Sequence, residues 1–311
     1  MKKRTCFEGE VHHVCQRTVD GVLVFYSIRD YLVFFTIICS IAERENVSLL
    51  ALCPMPDHLH QSCRVSSLAQ LERFVQQYTR IYAHEWNVAH ARKGSLFRRR
   101  FGCSCKLGNK NVRSNINYVY NNPVERKIVQ RAEEYRWNFL AYARNRHPFS
   151  QALDSSKASR PLRAALSEAK QCQEQGKWLH YAQLDRWMKR LKASEVQQLT
   201  DAVIGIWNII DYEDAISYYG SYDAMLHSFH DNTGSEYEIK EDRDRYSDTV
   251  YADCTRILLQ DGYIRSVREI PSLSYGEKQR LYRLLLQRTQ AKPKQVRKYL
   301  HVAGAKEIDS Q

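Results

Sequence analysis

Two histidines, a tyrosine and an asparagine have the types and spacing of a metal-assisted nucleophilic site. His58 and His60 lie two apart in a segment that reads as a strand, so both imidazoles should project from one face and could bind one divalent metal. Tyr118 and Asn122 lie four apart in a segment that reads as a helix, so they should share one face. A phenol can act as a nucleophile, and an amide oxygen can complete a site for a hard cation.

Each half of this pattern also has an ordinary structural interpretation. Two histidines on a strand are usually not a metal site when nothing else accompanies them. Tyr118 could be an aromatic residue that packs on a sheet, and Asn122 could cap the end of a helix. Pro123 disfavours helical backbone at Asn122, so we predict that the helix ends near this point. The alternatives remain open on spacing alone.

The elements that must position these residues alternate between strands and helices. The apolar periodicities predict strands at 11–19, 47–53, 58–65 and 101–107, and helices at 28–44, 68–86 and 111–121. Asp20-Gly21 is a hairpin-type turn signal, which predicts a further strand at 22–26. Ser27 with Asp30 predicts a capping box, and Ser66 or Ser67 predicts the cap of the second helix. This order is that of a ferredoxin-like antiparallel sheet with one additional helix.

Length and charge suggest two domains, of which the first is basic. The chain has 311 residues and a formal net charge of +12, and residues 1–150 hold 23 Lys and Arg against 12 Asp and Glu. A positive field of this kind favours a polyanionic partner, nucleic acid first, although a merely soluble basic surface is the alternative. No apolar run is long enough to cross a membrane. We therefore expect a cytoplasmic protein of ordinary globular composition.

Residues 151–311 read as a mostly α-helical accessory domain. A polar, Ser-rich stretch at 151–160 suggests a linker, and helices are predicted at 179–191 and 196–210. The acidic stretch 231–253 suggests a solvated loop, or a face that keeps this domain from binding DNA indiscriminately. Two further helices at 276–290 and 293–300 carry many Lys and Arg, so residues 274–300 could include a helix-turn-helix that recognises DNA. A basic hairpin of helices that only packs on the rest of the chain explains the same pattern.

Together, these stretches resemble the single-tyrosine HUH transposases, and within them the REP-associated tyrosine transposases. That family has a Met-Pro-Asn-His-x-His strand and, downstream, a Tyr-x-x-x-Asn-Pro-Val helix, for which this chain has residues 55–60 and 118–124. The resemblance extends over about residues 8–145, with His13-Val14 and Arg17, residues 94–97 with Arg100-Phe101, and Glu134-Tyr135 with Trp137 as further matches. It implies the same ferredoxin-like fold.

The resemblance also implies a mechanism and a substrate. His58, His60 and Asn122 would hold Mg²⁺ or Mn²⁺, and Tyr118 would attack a DNA strand, which gives a 5′-phosphotyrosine link and a 3′-hydroxyl that can later reverse the step. The substrate would be single-stranded or hairpin DNA near the bacterial nucleoid, bound by a monomer or a homodimer. Our candidates for contacts with the DNA backbone are the basic residues Arg92, Lys93, Arg98, Arg99 and Arg100.

The chain departs from the family pattern at several positions. Asp57 replaces the usual Asn, Gln61 and Ser62 replace apolar residues, and residues 126–127 are Arg-Lys where Ala-Gly is usual. Tyr120 is a second possible nucleophile, but it lies two residues from Tyr118 and should point away from the face of Asn122. A non-catalytic nucleic-acid binder on a ferredoxin-like platform and a hydrolytic nuclease that uses activated water are the competing hypotheses.

Overall fold

A four-stranded antiparallel sheet lies at the centre of the N-terminal half. The computed structural model describes residues 6–154, 156–231 and 247–302. The strands are β1 (Val11–Arg17), β2 (Ser48–Met55), β3 (His58–Arg64) and β4 (Gly102–Lys106), in the order β2-β3-β1-β4. All neighbouring strands are antiparallel. This order is the ferredoxin-like arrangement, so the predicted fold class is confirmed.

Helices cover both faces of this sheet. Helix α1 (Ile28–Arg44) and helix α2 (Leu68–Ala89) pack together with Leu59 and Cys63 of β3 in one large core. Helix α3 (Asn109–Glu125) packs on β2 and belongs to a second core. Since side chains alternate along a strand, β3 therefore presents His58, His60 and Ser62 towards α3.

The predicted caps form at α1 and α2. The backbone N–H of Ser27 donates to Asp30 Oδ2 at 2.8 Å, as expected for a capping box. The N–H of Gln70 donates to Ser67 Oγ at 3.2 Å, which identifies Ser67 as the cap of α2.

The strand predicted at 22–26 does not form. The turn itself does, because Asp20 and Gly21 have φ values of 56° and 66° and lie in a short 3₁₀ turn, Val19–Gly21. After the turn, however, the N–H of Leu23 donates to the carbonyl of Lys298 at 3.2 Å and that of Val24 donates to Pro56 O at 2.8 Å. The C-terminal region and the β2–β3 turn thus take the hydrogen bonds that a hairpin partner would have used.

Helix α3 runs further than predicted and includes Pro123, near which the sequence predicted its end. The helix continues to Glu125, and the N–H of Arg126 still donates to Asn122 O at 3.1 Å. A proline lacks the amide hydrogen for a bond to the preceding turn, but the bonds on either side of it hold the helix. Asn122 is therefore a helical residue, and it shares a face with Tyr118.

The remainder of the chain is mostly helical, as predicted. Short 3₁₀ turns follow α3 at Ala132–Glu134, Arg136–Asn138 and Leu140–Ala143, and another lies at Val267–Ser272. The described helices are α4 (Arg160–Glu174), α5 (Tyr181–Met188), α6 (Ala193–Trp207), α7 (Tyr212–Ser217), α8 (Tyr222–His230), α9 (Val250–Gln260), α10 (Tyr275–Arg288) and α11 (Pro293–Leu300).

These C-terminal helices pack directly on the N-terminal half. Helices α4 to α6 share the large core of α1 and α2, whereas α8 packs on α3. Helices α9 to α11 form a third core that includes Leu23. Most of the predicted acidic loop at 231–253 lies outside the described residues, but its last part was wrong, because Val250 and Tyr251 are buried in α9. Within the described parts of the chain, no helix is long and apolar enough to cross a membrane.

Candidate active site

The predicted site residues of β3 and α3 meet in the space between the two elements. The Ser62 hydroxyl donates to Asn115 Oδ1 at 2.6 Å, which fixes one end of the helix on the strand. Two residues earlier on β3 and three residues later on α3, the ring centroids of His60 and Tyr118 lie 5.1 Å apart. From the periodicities of the strand and the helix, the next pair along the two elements would be His58 and Asn122.

Both histidines are held through their Nδ1 atoms. The Nδ1 of His58 lies 2.6 Å from Asp57 Oδ1, and that of His60 lies 3.0 Å from Nε2 of His13. A carboxylate only accepts hydrogen bonds, so His58 Nδ1 carries the proton in its contact. The two imidazole centroids are 4.9 Å apart. In both rings Nε2 is therefore the atom that would bind a metal.

Several buried side-chain atoms of the described residues lack a hydrogen-bond partner, and two of these atoms belong to predicted metal ligands. They are Nε2 of His58 and Oδ1 of Asn122, in side chains of residues that are only 5% and 4% exposed. Buried polar atoms are normally paired, so such orphans suggest a ligand. Two imidazole nitrogens and an amide oxygen form a donor set that fits a divalent cation. In the described part of the chain, no group of three or more His, Cys, Asp or Glu could hold a metal.

Tyr118 lies beside the histidines, whereas Tyr120 does not. The ring centroid of Tyr118 is 5.5 Å from that of His13, in addition to its contact with His60. Tyr120 is fully buried on the β2 side, where its hydroxyl donates to Leu50 O at 3.3 Å. Burial raises the pKa of Tyr120 well above its usual value, which makes it a poor nucleophile.

The five predicted DNA contacts fall into two groups. Arg92 holds its own loop together, since its guanidinium donates to Asn87 Oδ1 at 3.1 Å and to the carbonyls of Gly94 and Ser95. Lys93, Arg98, Arg99 and Arg100 are exposed.

The segment that carries the three exposed arginines lies at the His58 end of the sheet. The N–H of Arg98 donates to Arg17 O at 2.9 Å, and Arg17 is the direct strand partner of His58. Directly opposed residues project from the same face, so the Arg17 side chain lies on the His58 side of the sheet. Arg17 was singled out from the sequence only as a family match, without a role.

A carboxylate and an ammonium group complete the surroundings of His58. Asp57 Oδ2 lies 2.7 Å from Nζ of Lys298, which belongs to α11. Burial raises the pKa of Asp57, but its contacts with His58 and Lys298 outweigh burial and hold the pKa well below the usual range. In the sequence, Asp57 was noted only as a departure from the family pattern, and nothing indicated that Lys298 would lie beside it.

Asp248 is a further acidic residue near the site that the sequence did not reveal. Its backbone N–H donates to Arg126 O at 3.1 Å, just beyond the end of α3. Burial, followed by the charge of Asp57, raises the pKa of Asp248 to about 6, against lowering effects of Arg126, His58 and Lys298. The C-terminal region thus contributes both a cation and a carboxyl group to the surroundings of His58.

Comparisons with known proteins address the N-terminal half. Residues 10–122 match the family model described as transposase, IS200-like. No curated protein matches the chain. One solved structure, a REP-associated tyrosine transposase bound to a REP hairpin, is similar with 16% identity and a TM-score of 0.39, over 51% of this chain and 94% of that chain.

The family match includes every residue of the proposed metal and tyrosine site. It begins just before β1 and ends at Asn122, so that His58, His60 and Tyr118 all lie inside it. Over residues 10–122, the chain is thus similar to the IS200-like transposases.

Proposed function

We propose that this protein is a REP-associated tyrosine transposase that cleaves and rejoins single-stranded or hairpin DNA through a covalent link to Tyr118. The observation that carries the proposal is the convergence of Tyr118, His58, His60 and Asn122 between β3 and α3, with His58 Nε2 and Asn122 Oδ1 buried and without a partner among the described residues. The basic N-terminal half fits a DNA substrate in the cytoplasm, at the bacterial nucleoid.

The ligand set would be completed by Mg²⁺ or Mn²⁺. Such an ion, when bound, supplies positive charge that stabilises the negative charge on the phosphate oxygens. Mg²⁺ prefers oxygen ligands, so two imidazoles favour Mn²⁺ in binding strength. His58 and His60 each present Nε2, because Asp57 and His13 engage the Nδ1 atoms. Asn122 adds the oxygen, one helical turn beyond Tyr118.

Tyr118 would carry out the covalent step. Its phenolic oxygen bonds to phosphorus and loses its proton to solvent, while the bond from phosphorus to the 3′-oxygen breaks. That oxygen leaves as a 3′-hydroxyl after it takes up a proton. The 5′-phosphotyrosine link conserves the energy of the broken bond, so a 3′-hydroxyl can attack it in the reverse sense and rejoin DNA. Arg17 and the exposed residues Arg98, Arg99, Arg100 and Lys93 would guide the backbone towards the tyrosine.

A cleavage assay with labelled hairpins tests this function. Wild type, Tyr118→Phe and the matched control Tyr120→Phe would be incubated with a pool of 5′- and 3′-labelled single-stranded hairpins and Mn²⁺. We expect covalently bound label with wild type and Tyr120→Phe, and none with Tyr118→Phe or with EDTA. Cleavage that survives in Tyr118→Phe would instead establish a hydrolytic nuclease. Binding without any cleavage, in a pool that includes the chain's own genomic hairpins, would favour a non-catalytic binder.

A further inference from the structure

We propose that helix α11 sets the orientation of the metal ligand His58 through a bridge from Lys298 to Asp57. Lys298 and Asp57 are then positioning residues of the active site. This inference rests on the proposed function, because it takes His58 as a ligand.

The bridge uses both oxygens of one carboxylate. Asp57 Oδ2 lies 2.7 Å from Lys298 Nζ, and Asp57 Oδ1 lies 2.6 Å from His58 Nδ1. The side chains of Lys298, Asp57 and His58 are only 16%, 13% and 6% exposed. Shielding from water makes such charge-assisted hydrogen bonds stronger than an exposed ion pair would be.

The backbone on each side of the bridge is also fixed. The hydroxyl of Thr18 donates to Asp57 O at 2.9 Å. At the other end, the Tyr26 hydroxyl donates to Tyr299 O at 2.6 Å, and His301 Nε2 lies 2.7 Å from Leu23 O. Helix α11 is therefore docked on the segment that follows β1, and Lys298 is delivered to Asp57 from a defined position.

This arrangement has a direct consequence for metal binding. A carboxylate on Nδ1 fixes the histidine tautomer that leaves Nε2 for the metal, and it makes the imidazole a stronger ligand. The Asp57 carboxylate could rotate away if only His58 held it, but Lys298 engages its second oxygen. An asparagine, which the family pattern has at this position, would turn its amide hydrogens towards either Lys298 or His58.

The bridge joins two parts of the chain that are 241 positions apart in sequence. Lys298 lies far outside the matched residues 10–122. The C-terminal helices therefore complete the active site, in addition to any contact that they make with DNA.

Metal titration of the full chain tests the inference. Mn²⁺ affinity would be measured by isothermal titration calorimetry for wild type, Lys298→Met, Asp57→Asn and the double variant, with Lys298→Arg as the charge-conserving rescue. Lys189→Met, at an exposed lysine that follows α5, is the matched control. We expect Mn²⁺ to bind on the order of tenfold more weakly to both single variants. The double variant should bind Mn²⁺ no more weakly than Asp57→Asn does, because both substitutions break the same bridge.

Three further results complete the design. Lys298→Arg should restore affinity to within about twofold of wild type, since it keeps the cation. Histidine ¹⁵N chemical shifts of the metal-free protein should show His58 protonated on Nδ1 in wild type and a mixture of tautomers in Asp57→Asn. Thermal unfolding in EDTA identifies variants that fail to fold. If Lys298→Met does not fold, the Mn²⁺ affinity of Asp57→Asn, which is the smallest change, tests the bridge.

Two outcomes would overturn the inference, and they are distinguishable. Unchanged Mn²⁺ affinity in folded Lys298→Met and Asp57→Asn, with binding abolished by His58→Ala, would overturn the bridge alone. Binding that His58→Ala leaves intact would overturn the ligand assignment of the proposed function and the bridge with it.

Discussion

Asp248→Asn should stabilise the metal-free protein in a pH-dependent manner. Asp248 lies beside the proposed site, and burial and the charge of Asp57 raise its pKa from 3.8 to about 6. The folded state therefore binds this proton more tightly than the unfolded state does. Protonated Asp248 is compatible with the fold, whereas ionised Asp248 opposes it. The stability that the proton provides is complete below pH 3.8 and is lost as the pH rises through 6.

The size of the effect follows from the same shift. A difference of about 2 pKa units corresponds to about 3 kcal/mol between the two protonation states. An uncharged asparagine removes this cost, so the variant should be more stable by up to ~3 kcal/mol at pH 8. At pH 5, where folded Asp248 is mostly protonated, the gain should fall to roughly half of that value.

Urea unfolding in EDTA at several values between pH 5 and pH 8 measures this difference. The matched control is Asp223→Asn, an exposed carboxyl on α8, whose effect should stay within about 0.5 kcal/mol at every pH. If Asp248→Asn is no more stable than wild type at pH 8, or if its gain does not shrink on acidification, the burial argument is refuted.

Three further predictions concern the tyrosines, the ligands and the DNA contacts. Tyr120→Phe should lower the free energy of unfolding by about 1 kcal/mol, because the bond to Leu50 O is lost, yet it should retain covalent labelling in the hairpin assay. Asn122→Ala should weaken Mn²⁺ binding in calorimetry without lowering the unfolding temperature of the metal-free protein, since its buried oxygen has no partner among the described residues; a large loss of stability would contradict this. Lys93→Ala should reduce the slope of log affinity against log salt concentration in single-strand binding by about 0.7, without changing stability. Arg92→Ala should instead destabilise the loop that its side chain holds. Equal effects of the two variants on stability would contradict these different roles.

Local periodicity was enough to predict how the proposed site is built. The spacing of His58 and His60 places both on one face of a strand, and the spacing of Tyr118 and Asn122 places both on one face of a helix. The order of elements then predicts a ferredoxin-like sheet that brings the two together. These inferences depend on backbone geometry over a few residues, which sequence patterns report directly.

Interactions between distant segments could not be predicted in this way. The turn at Asp20-Gly21 was predicted correctly, but the strand after it was not, because the competing partner is Lys298 at the other end of the chain. The bridge from Lys298 to Asp57 is invisible for the same reason. Arg92 shows a related limit, since the sequence reveals a cation but not the carbonyl oxygens that engage it.

Mapping the covalent adduct tests the central claim most directly. Wild-type protein that has cleaved a hairpin in the presence of Mn²⁺ would be digested with trypsin and nuclease and analysed by tandem mass spectrometry. Trypsin releases residues 114–126 as one peptide, which contains both Tyr118 and Tyr120. We predict a nucleotide joined through its 5′-phosphate to Tyr118. An adduct on Tyr120, or cleaved DNA with no adduct on this peptide, would contradict the account.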